Sequence, residues 1–274
     1  MTPPDVFDRY PHPIKLVLTD LDGTLTADEQ GPLDCETLHL IRALNERSRA
    51  SKAYPPISVV TGRPQPYLEA FAKFVATPLP SLFESGCGMY LPGRPLGQDY
   101  VFHPSLEDEE TQSAARDFKT WADRELVSTR GAGFILGKRY ALSYAPAPSS
   151  DVEELLAATD ALPDDLARRF FITRSIGVLD VTPRPVHKGT GVLWLLDYCQ
   201  RHLGLDIMPA NVVAVGDSYN DVPMFEAVEV ACAVANASPY VKERVDYVAE
   251  AATGLGVAEV VERAAALNRR LGYV

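Results

Sequence analysis

The stretch that decides the fold class is KLVLTDLDGTLT, residues 15–26, in which a short apolar run ends in Asp20 and Asp22. Residues i and i+2 of a strand point to the same face, so both side chains can project beyond the end of a strand. In open parallel sheets, ligands bind in the crevice beyond the carboxyl ends of the strands. Two carboxylates about 4 Å apart repel by roughly 4 kcal/mol at an effective dielectric constant of about 20. A retained proton or a bound cation must offset that repulsion, and an all-oxygen site suits Mg²⁺.

Strand and helix patterns alternate at both ends of the 274-residue chain. This alternation predicts an α/β fold, a doubly wound Rossmann-like parallel sheet with helices on both faces. The predicted strands are 16–20, 57–64, 81–86, 211–217 and 230–234, and the predicted helices are 34–47, 188–203, 222–228 and 255–271.

Residues 89–183 follow a different pattern, because turn signals such as LPGRPLG and APAPSS crowd between short strand-like runs. The runs are 133–136, 140–144, 170–173 and 178–182, and the helix candidates are 106–124 and 150–161. We therefore predict a discontinuous core, 1–88 and 184–274, with an inserted α+β cap domain over 89–183.

The composition excludes several classes of protein. A net charge of −11 argues against a general nucleic-acid binder and against adhesion to anionic membranes. No apolar run approaches the roughly 20 residues of a membrane helix, and the N-terminal residues lack the apolar segment of a signal peptide. Cys35, Cys87, Cys199 and Cys232 lack CxxC spacing, so a zinc site is not expected. Few cysteines fit a reducing compartment, and the expected location is cytoplasmic.

A second acidic pair lies in GDSYND, residues 216–221, after another buried run and before a predicted helix. One Asp or Asn there would be an ordinary helix N-cap. Asp217, Ser218, Asn220 and Asp221 crowd into one turn, which is more than capping needs.

Two further segments offer groups that bind anions. VVTGR, residues 59–63, ends a predicted strand with Thr61 and Gly62, whose hydroxyl and following N–H groups could hold an oxyanion. VHKGTG, residues 186–191, places Lys188 at a helix start, where its charge has the wrong sign for the helix dipole and predicts a negative partner. Taken singly, these segments could be an ordinary turn and a solvated lysine.

All four segments end a strand or open a helix, so they can converge on one edge of the sheet. Carboxylates for a metal and donors for oxyanions together describe a site for a phosphoryl group. The residues alone leave two other interpretations open for the first motif, a solvated Asp-Gly turn and a glycosyltransferase-type DxD that holds a metal and a nucleotide.

In this order, DLDGT, VVTGR, the helix-opening lysine and GDSYND resemble the haloacid dehalogenase-like (HAD) phosphatases. The long insert between Thr61 and Lys188 resembles the C2-type cap of the Cof-like subfamily, which includes sucrose-phosphate and mannosyl-phosphoglycerate phosphatases. One departure is ESGCG, residues 84–88, where relatives often have Asn-Gly and this chain has Ser85.

The resemblance implies a role for each motif residue. Asp20 would be the nucleophile that forms an aspartyl-phosphate, and Asp22 the general acid and base. Thr61 and Lys188 are counted with these catalytic residues. The implied phosphate-binding residues are Thr61, Gly62, Lys188 and Asn220. The implied Mg²⁺ ligands are Asp20, Asp22 through its backbone carbonyl, Asp217 and Asp221. His187 is expected to be a bystander.

The expected function is that of a Mg²⁺-dependent phosphomonoesterase acting on a small phosphorylated metabolite, with a sugar phosphate as the favoured class. The alternatives are a phosphomutase that uses the same aspartyl-phosphate and a non-catalytic binding module on this fold. No nucleic-acid or membrane partner is expected, and the sequence leaves the oligomeric state open. One or two basic or aromatic residues of the insert are expected to bind the leaving group, and the candidates are Lys138, Arg139, Arg168, Arg169, Arg174, Arg184, Tyr140, Tyr144, Phe170 and Phe171.

Overall fold

The computed structural model describes residues 6–27, 31–175 and 177–274. The strands are β1 Leu16–Thr19, β2 Ile57–Val59, β3 Ser81–Phe83, β4 Gly88–Tyr90, β5 Tyr100–Phe102, β6 Gly133–Phe134, β7 Leu142–Ala145, β8 Phe170–Ser175, β9 Val178–Pro183, β10 Val212–Gly216, β11 Val230–Ala233 and β12 Tyr247–Val248. The helices are α1 Val6–Arg9, α2 Cys35–Ala50, α3 Gln65–Phe74, α4 Glu109–Ala122, α5 Val152–Ala158, α6 Asp164–Ala167, α7 Lys188–Leu203, α8 Val222–Phe225, α9 Pro239–Lys242 and α10 Thr253–Arg270.

A five-stranded parallel sheet lies at the centre, in the order β12-β11-β10-β1-β2. Val17 of β1 lies opposite Val213 of β10 on one side and Ile57 of β2 on the other. These strands are continuous apolar runs because helices cover both faces of the sheet. The structure therefore confirms the predicted α/β fold class, and it places the segments that follow β1, β2 and β10 side by side.

The helices beside this sheet begin and end close to the predicted residues. Helix α2 starts after Asp34, whose side chain accepts the Glu36 N–H at 3.0 Å, and its buried face carries Leu38, Ile41 and Leu44. Helix α7 spans the residues predicted for it. A capped start and an apolar stripe at helical spacing explain why these two helices could be located from the sequence.

The third predicted strand, 81–86, is shorter than expected. It ends at Phe83, because Glu84 and Ser85 adopt positive φ values of 48° and 57° and turn the chain. The strand then pairs antiparallel with β4, which pairs with β5 in a separate three-stranded sheet. Strands β4 and β5 were not predicted, since the turn-rich LPGRPLG between them hides the pairing.

The insert contains a third sheet, which is antiparallel and has the order β6-β7-β9-β8. Helices α4 and α5 pack on one face of it around a hydrophobic cluster that includes Phe118, Tyr144 and Leu179. Residues on the opposite face include Ser143 and Asp180, which lie directly across from each other. The insert therefore has a hydrophobic core of its own on one face of its sheet and polar residues on the other face.

The position of the boundary between core and cap stays a prediction. Met89, Tyr90 and Leu91 pack into the same cluster as the parallel sheet, and Phe102 packs against it. We propose that the hairpin up to about Phe102 belongs with the core and that the cap begins beyond it. Within the described residues, no helix combines the length and the apolar character needed to cross a membrane.

Candidate active site

Acidic side chains gather beyond the carboxyl ends of β1 and β10, as the sheet order requires. Asp20 follows β1, and Asp217 follows β10 on the neighbouring strand. Asp20, Asp217 and Asp221 each offer a carboxylate oxygen, and these oxygens lie within 4.8 Å of one another. The two acidic motifs, far apart in sequence, therefore form one cluster.

Lys188 enters this cluster from the first turn of α7. Its Nζ lies 2.8 Å from Asp20 Oδ1 and 2.7 Å from Asp221 Oδ1. The lysine side chain is 2% exposed, so the ion pairs are closed off from solvent. The negative partner that the helix dipole argument predicted for Lys188 is thus a pair of aspartates.

Burial and crowding set the protonation of the cluster. Burial raises the pKa of Asp20 well above its usual value, the Asp221 charge adds to this, and Lys188 opposes it. Burial also raises the pKa of Asp217 to about 6, with the Asp221 charge as the next cause. For Lys188, burial lowers the pKa, but the charges of Asp20 and Asp221 together outweigh it and leave the pKa above its ordinary value.

The turn after β10 holds Asp221 in place. Its Oδ2 accepts the backbone N–H groups of Asp217 and Ser218, both at 3.0 Å, while its Oδ1 accepts from Lys188. Asp217 Oδ1 in turn accepts the Thr24 hydroxyl at 2.5 Å. A Cβ on Gly23 would stand 2.7 Å from Asp217 Oδ2, which explains the glycine in DLDGT.

This donor set fits a divalent cation. Three carboxylates face one ammonium, which leaves an excess of two negative charges when all four groups are ionised. All the side-chain donors are carboxylate oxygens, the ligand type that Mg²⁺ prefers. A divalent cation bound by these oxygens would neutralise the charge excess, which also contributes to the raised pKa values of Asp20 and Asp217.

Asp22 lies beside the cluster in a different ion pair. Arg63 holds it with two parallel hydrogen bonds, Nε to Oδ2 at 2.8 Å and Nη2 to Oδ1 at 2.9 Å. The guanidinium also lies over the Tyr67 ring, 5.0 Å from its centroid. The sequence pattern assigns no role to Arg63, the last residue of VVTGR, because the spacing does not show that its side chain reaches the first motif.

The remaining predicted residues surround this centre. Thr61 is buried, and its Oγ1 accepts the Arg63 N–H at 3.0 Å, in a tight turn that also contains Gly62. Asn220 is exposed, and its Oδ1 accepts the Ser218 hydroxyl at 2.8 Å. The carboxylates that hold Lys188 are those of Asp20 and Asp221. His187 caps α7, its Nδ1 accepting the Gly189 N–H at 3.2 Å, and its bystander role stays a prediction.

The candidate residues of the insert separate into groups. Tyr144 and Phe170 belong to the hydrophobic cluster of the insert. Arg169 and Arg174 pair with Glu110 and Glu153. Lys138 is different, because its side chain is only 9% exposed and contacts Ser143 and Asp180 on the polar face of the antiparallel sheet of the insert.

Comparisons with known proteins identify the chain's relatives. A sequence model of the haloacid dehalogenase-like hydrolases matches residues 143–261. A phosphoglycolate phosphatase of Haloarcula marismortui is 30% identical over 251 residues, 89% of this chain and 95% of its own. A phosphoglycolate phosphatase of Methanopyrus kandleri is 28% identical over 248 residues, 90% of this chain and 96% of its own.

Solved structures share the fold. A Thermoplasma acidophilum protein superposes with a TM-score of 0.67 at 20% identity, covering 92% of this chain and 99% of its own. The sucrose-phosphatase of Synechocystis, solved with sucrose and phosphate, gives a TM-score of 0.60 at 20% identity, covering 92% of this chain and 98% of its own. The identity of 30% to the Haloarcula marismortui phosphatase, over 89% of this chain, shows that the chain belongs to the haloacid dehalogenase-like hydrolase family, as one of its phosphatases.

Proposed function

We propose that this phosphatase is a Mg²⁺-dependent phosphomonoesterase that transfers the phosphoryl group of a small metabolite to Asp20 and then to water. The observation that carries the proposal is the buried contact of Asp20 with Lys188, next to Asp217 and Asp221. An anionic nucleophile approaches an anionic substrate only where positive charge screens the repulsion between them. Lys188 supplies one such charge, held in place by two carboxylates.

In the first step, an Asp20 carboxylate oxygen forms a bond to phosphorus while the bond from phosphorus to the ester oxygen breaks. Lys188 fixes Asp20 Oδ1, so we assign the attack to Oδ2. Asp22 gives its proton to the leaving alkoxide. For this, Asp22 must leave Arg63, carry a proton taken from solvent or from the water of the previous turnover, and donate it to the ester oxygen of the substrate.

In the second step, the Asp22 carboxylate takes a proton from water, and the water oxygen attacks phosphorus. The bond between Asp20 and phosphorus breaks, which regenerates the carboxylate and releases inorganic phosphate. Two steps through a covalent intermediate divide a reaction that is among the slowest known without catalysis. We propose that the oxygens of the transferred group are bound by Thr61, by the N–H of Gly62 that follows it, and by Asn220.

The metal would be held by Asp20 and Asp217, by the Asp22 backbone carbonyl, and by Asp221 or a group that Asp221 positions. A bound Mg²⁺ supplies positive charge to the phosphoryl oxygens and neutralises the excess negative charge of the cluster. Asp221 already accepts four hydrogen bonds, so we propose that it chiefly positions Lys188 and the Asp217 turn.

The proposed substrate is a small phosphorylated metabolite selected by the cap. The relatives named above suggest 2-phosphoglycolate as the first ester to test, and sugar phosphates form the second class. Lys138, Ser143 and Asp180 on the polar face of the cap sheet are the residues we propose to contact the leaving group.

The test is release of inorganic phosphate from a panel of phosphorylated hydroxy acids and sugars, with Mg²⁺ and with EDTA. We expect release only with the metal, and a loss of at least roughly a thousandfold in Asp20→Asn, since no nucleophile remains. Acid quenching during turnover should trap phosphate on the peptide that contains Asp20. Activity retained in Asp20→Asn would refute its role, and an isomeric ester formed without phosphate release would indicate a phosphomutase instead.

A further inference from the structure

The turn Glu84–Gly86 directly follows β3 and has an unusual backbone. Glu84 and Ser85 both lie in the left-handed region, with φ values of 48° and 57°. Residues with a side chain adopt this conformation rarely, and two in succession persist only where the surrounding contacts require them.

The Glu84 side chain reaches into the insert. Its carboxylate is buried at 1% exposure and accepts three backbone N–H groups, from Arg139 at 2.9 Å, Tyr140 at 2.7 Å and Ala141 at 3.0 Å. These three residues belong to neither a helix nor a strand. The Glu84 carboxylate therefore accepts the N–H groups that a neighbouring strand would accept in a sheet. The same contacts explain why β7 begins at Leu142 and not at the predicted residue 140.

The backbone of the same turn contacts the loop that follows β2. The Glu84 N–H donates to the Arg63 carbonyl at 3.0 Å, and the Ser85 N–H donates to the Thr61 carbonyl at 2.9 Å. A shift of the turn would therefore move Thr61 and the loop that carries Arg63.

The far end of the turn packs against the start of α7. A Cβ on Gly191 would stand 2.7 Å from Gly86 Cα, and a Cβ on Gly86 would stand 3.0 Å from the His187 carbonyl oxygen. Backbone is in direct contact with backbone here, one residue from Lys188. One short turn thus joins the cap segment 139–141, the Thr61 loop and the helix that carries Lys188.

We propose that Glu84 is a positioning residue that couples the placement of the cap to the phosphate-binding groups at Thr61 and Lys188. This inference rests on the proposed function for the roles of those two residues. When the cap segment is held by the carboxylate, the turn is held too, and its backbone keeps Thr61 and the start of α7 at the separation that a phosphoryl group needs. When the carboxylate contact is lost, both the cap segment and the phosphate-binding groups lose a shared support.

The first test is amide hydrogen exchange resolved to residues 139–141. In the wild-type protein, these amides should be protected by at least about a hundredfold over a free peptide, although they lie outside regular structure. In Glu84→Gln, which keeps the shape but replaces one acceptor oxygen with a donor amide, protection should fall by at least about tenfold. Glu107→Gln, the same change at an exposed site, should leave it unchanged. Unprotected wild-type amides would overturn the proposal even if Glu84→Gln fails to fold.

The second test is the affinity for inorganic phosphate in the presence of Mg²⁺, measured by calorimetry. A merely structural role would lower the fraction of folded protein but leave the dissociation constant of the folded fraction unchanged. If Glu84 couples the cap to the phosphate-binding groups, the dissociation constant for phosphate should rise about tenfold in Glu84→Gln and not in Glu107→Gln, as expected when one support of an anion site is lost. Faster exchange at 139–141 with an unaltered constant would overturn the coupling. A wild-type protein that hydrolyses no ester would refute the proposed function, while the exchange result would still decide whether Glu84 holds the cap segment.

Discussion

Replacing Asp217 with asparagine should stabilise the metal-free protein. The pKa of this carboxyl rises from 3.8 to about 6 in the folded chain, because the group is buried and faces Asp221. A carboxyl with a raised pKa binds its proton more tightly when folded, so its ionisation opposes folding. The penalty is absent below the unfolded value, grows as pH rises between the two values, and is complete above about pH 6.

The size of the effect follows from the shift. Each pKa unit corresponds to about 1.4 kcal/mol, so ionised Asp217 costs the metal-free protein about 3 kcal/mol near pH 8. Asparagine removes that cost but weakens the hydrogen bond from Thr24, worth about 1 kcal/mol. The net gain is about 2 kcal/mol, or roughly 4–8 °C in melting temperature for a chain of this size. At pH 5 the cost falls to about 1.6 kcal/mol because most of the folded wild-type carboxyl is then protonated, so the net gain should shrink to about 0.6 kcal/mol.

The assay is thermal unfolding of Asp217→Asn and wild type, in EDTA and in millimolar MgCl₂. Mg²⁺ should stabilise the wild type by binding the folded state, and the variant much less, because a ligand charge is gone. Asp160→Asn, the same change at an exposed site, serves as the control and should match wild type in both buffers. A melting temperature of Asp217→Asn below that of wild type in EDTA, or equal stabilisation of both proteins by Mg²⁺, would contradict this prediction.

Three further substitutions separate the roles of the other site residues. Lys188→Met should destabilise the fold by about 3–5 kcal/mol in urea unfolding, because it leaves Asp20 and Asp221 buried without their cation, and it should abolish phosphate release. An unfolding free energy within about 1 kcal/mol of wild type would contradict the buried pairing. His187→Ala should cost about 1 kcal/mol of stability through the lost helix cap while kcat stays within about threefold of wild type. A much larger fall in kcat would make that histidine part of the chemistry. Asp22→Asn should lower kcat by about 10²–10⁴-fold and let phosphorylated enzyme accumulate in acid-quenched samples, and unchanged turnover would remove its acid–base role.

The sequence predicted the parts of the fold that follow from local patterns. Apolar runs that end in Asp20 and Asp217 predicted two parallel strands whose ends meet, and the pairing of β1 with β10 confirms their adjacency. The helix dipole argument predicted an acidic partner for Lys188 without identifying it. The structure identifies Asp20 and Asp221, because only the fold brings the helix start over both motifs.

The features that the sequence could not predict depend on contacts between distant segments. Glu84 is one glutamate in a turn, and no periodicity indicates that it accepts hydrogen bonds from residues more than fifty positions later in the chain. Arg63 reaches Asp22 only because β2 lies next to β1. The β4–β5 hairpin was missed because proline and glycine in its loop dominate the local pattern.

The contact between Gly86 and Gly191 has a consequence for how this chain can vary. A methyl group on Gly191 would stand 2.7 Å from Gly86 Cα and must displace backbone, and a side chain on Gly86 would be strained by the φ of 99° and would stand 3.0 Å from the His187 carbonyl oxygen. Even a substitution as small as alanine should therefore not be tolerated at these positions. A smaller residue at the other position cannot compensate, because glycine is already the smallest residue. Libraries that diversify the cap to change substrate preference should leave this pair untouched, since variation on the cap surface can be tolerated only while these two backbones stay in contact.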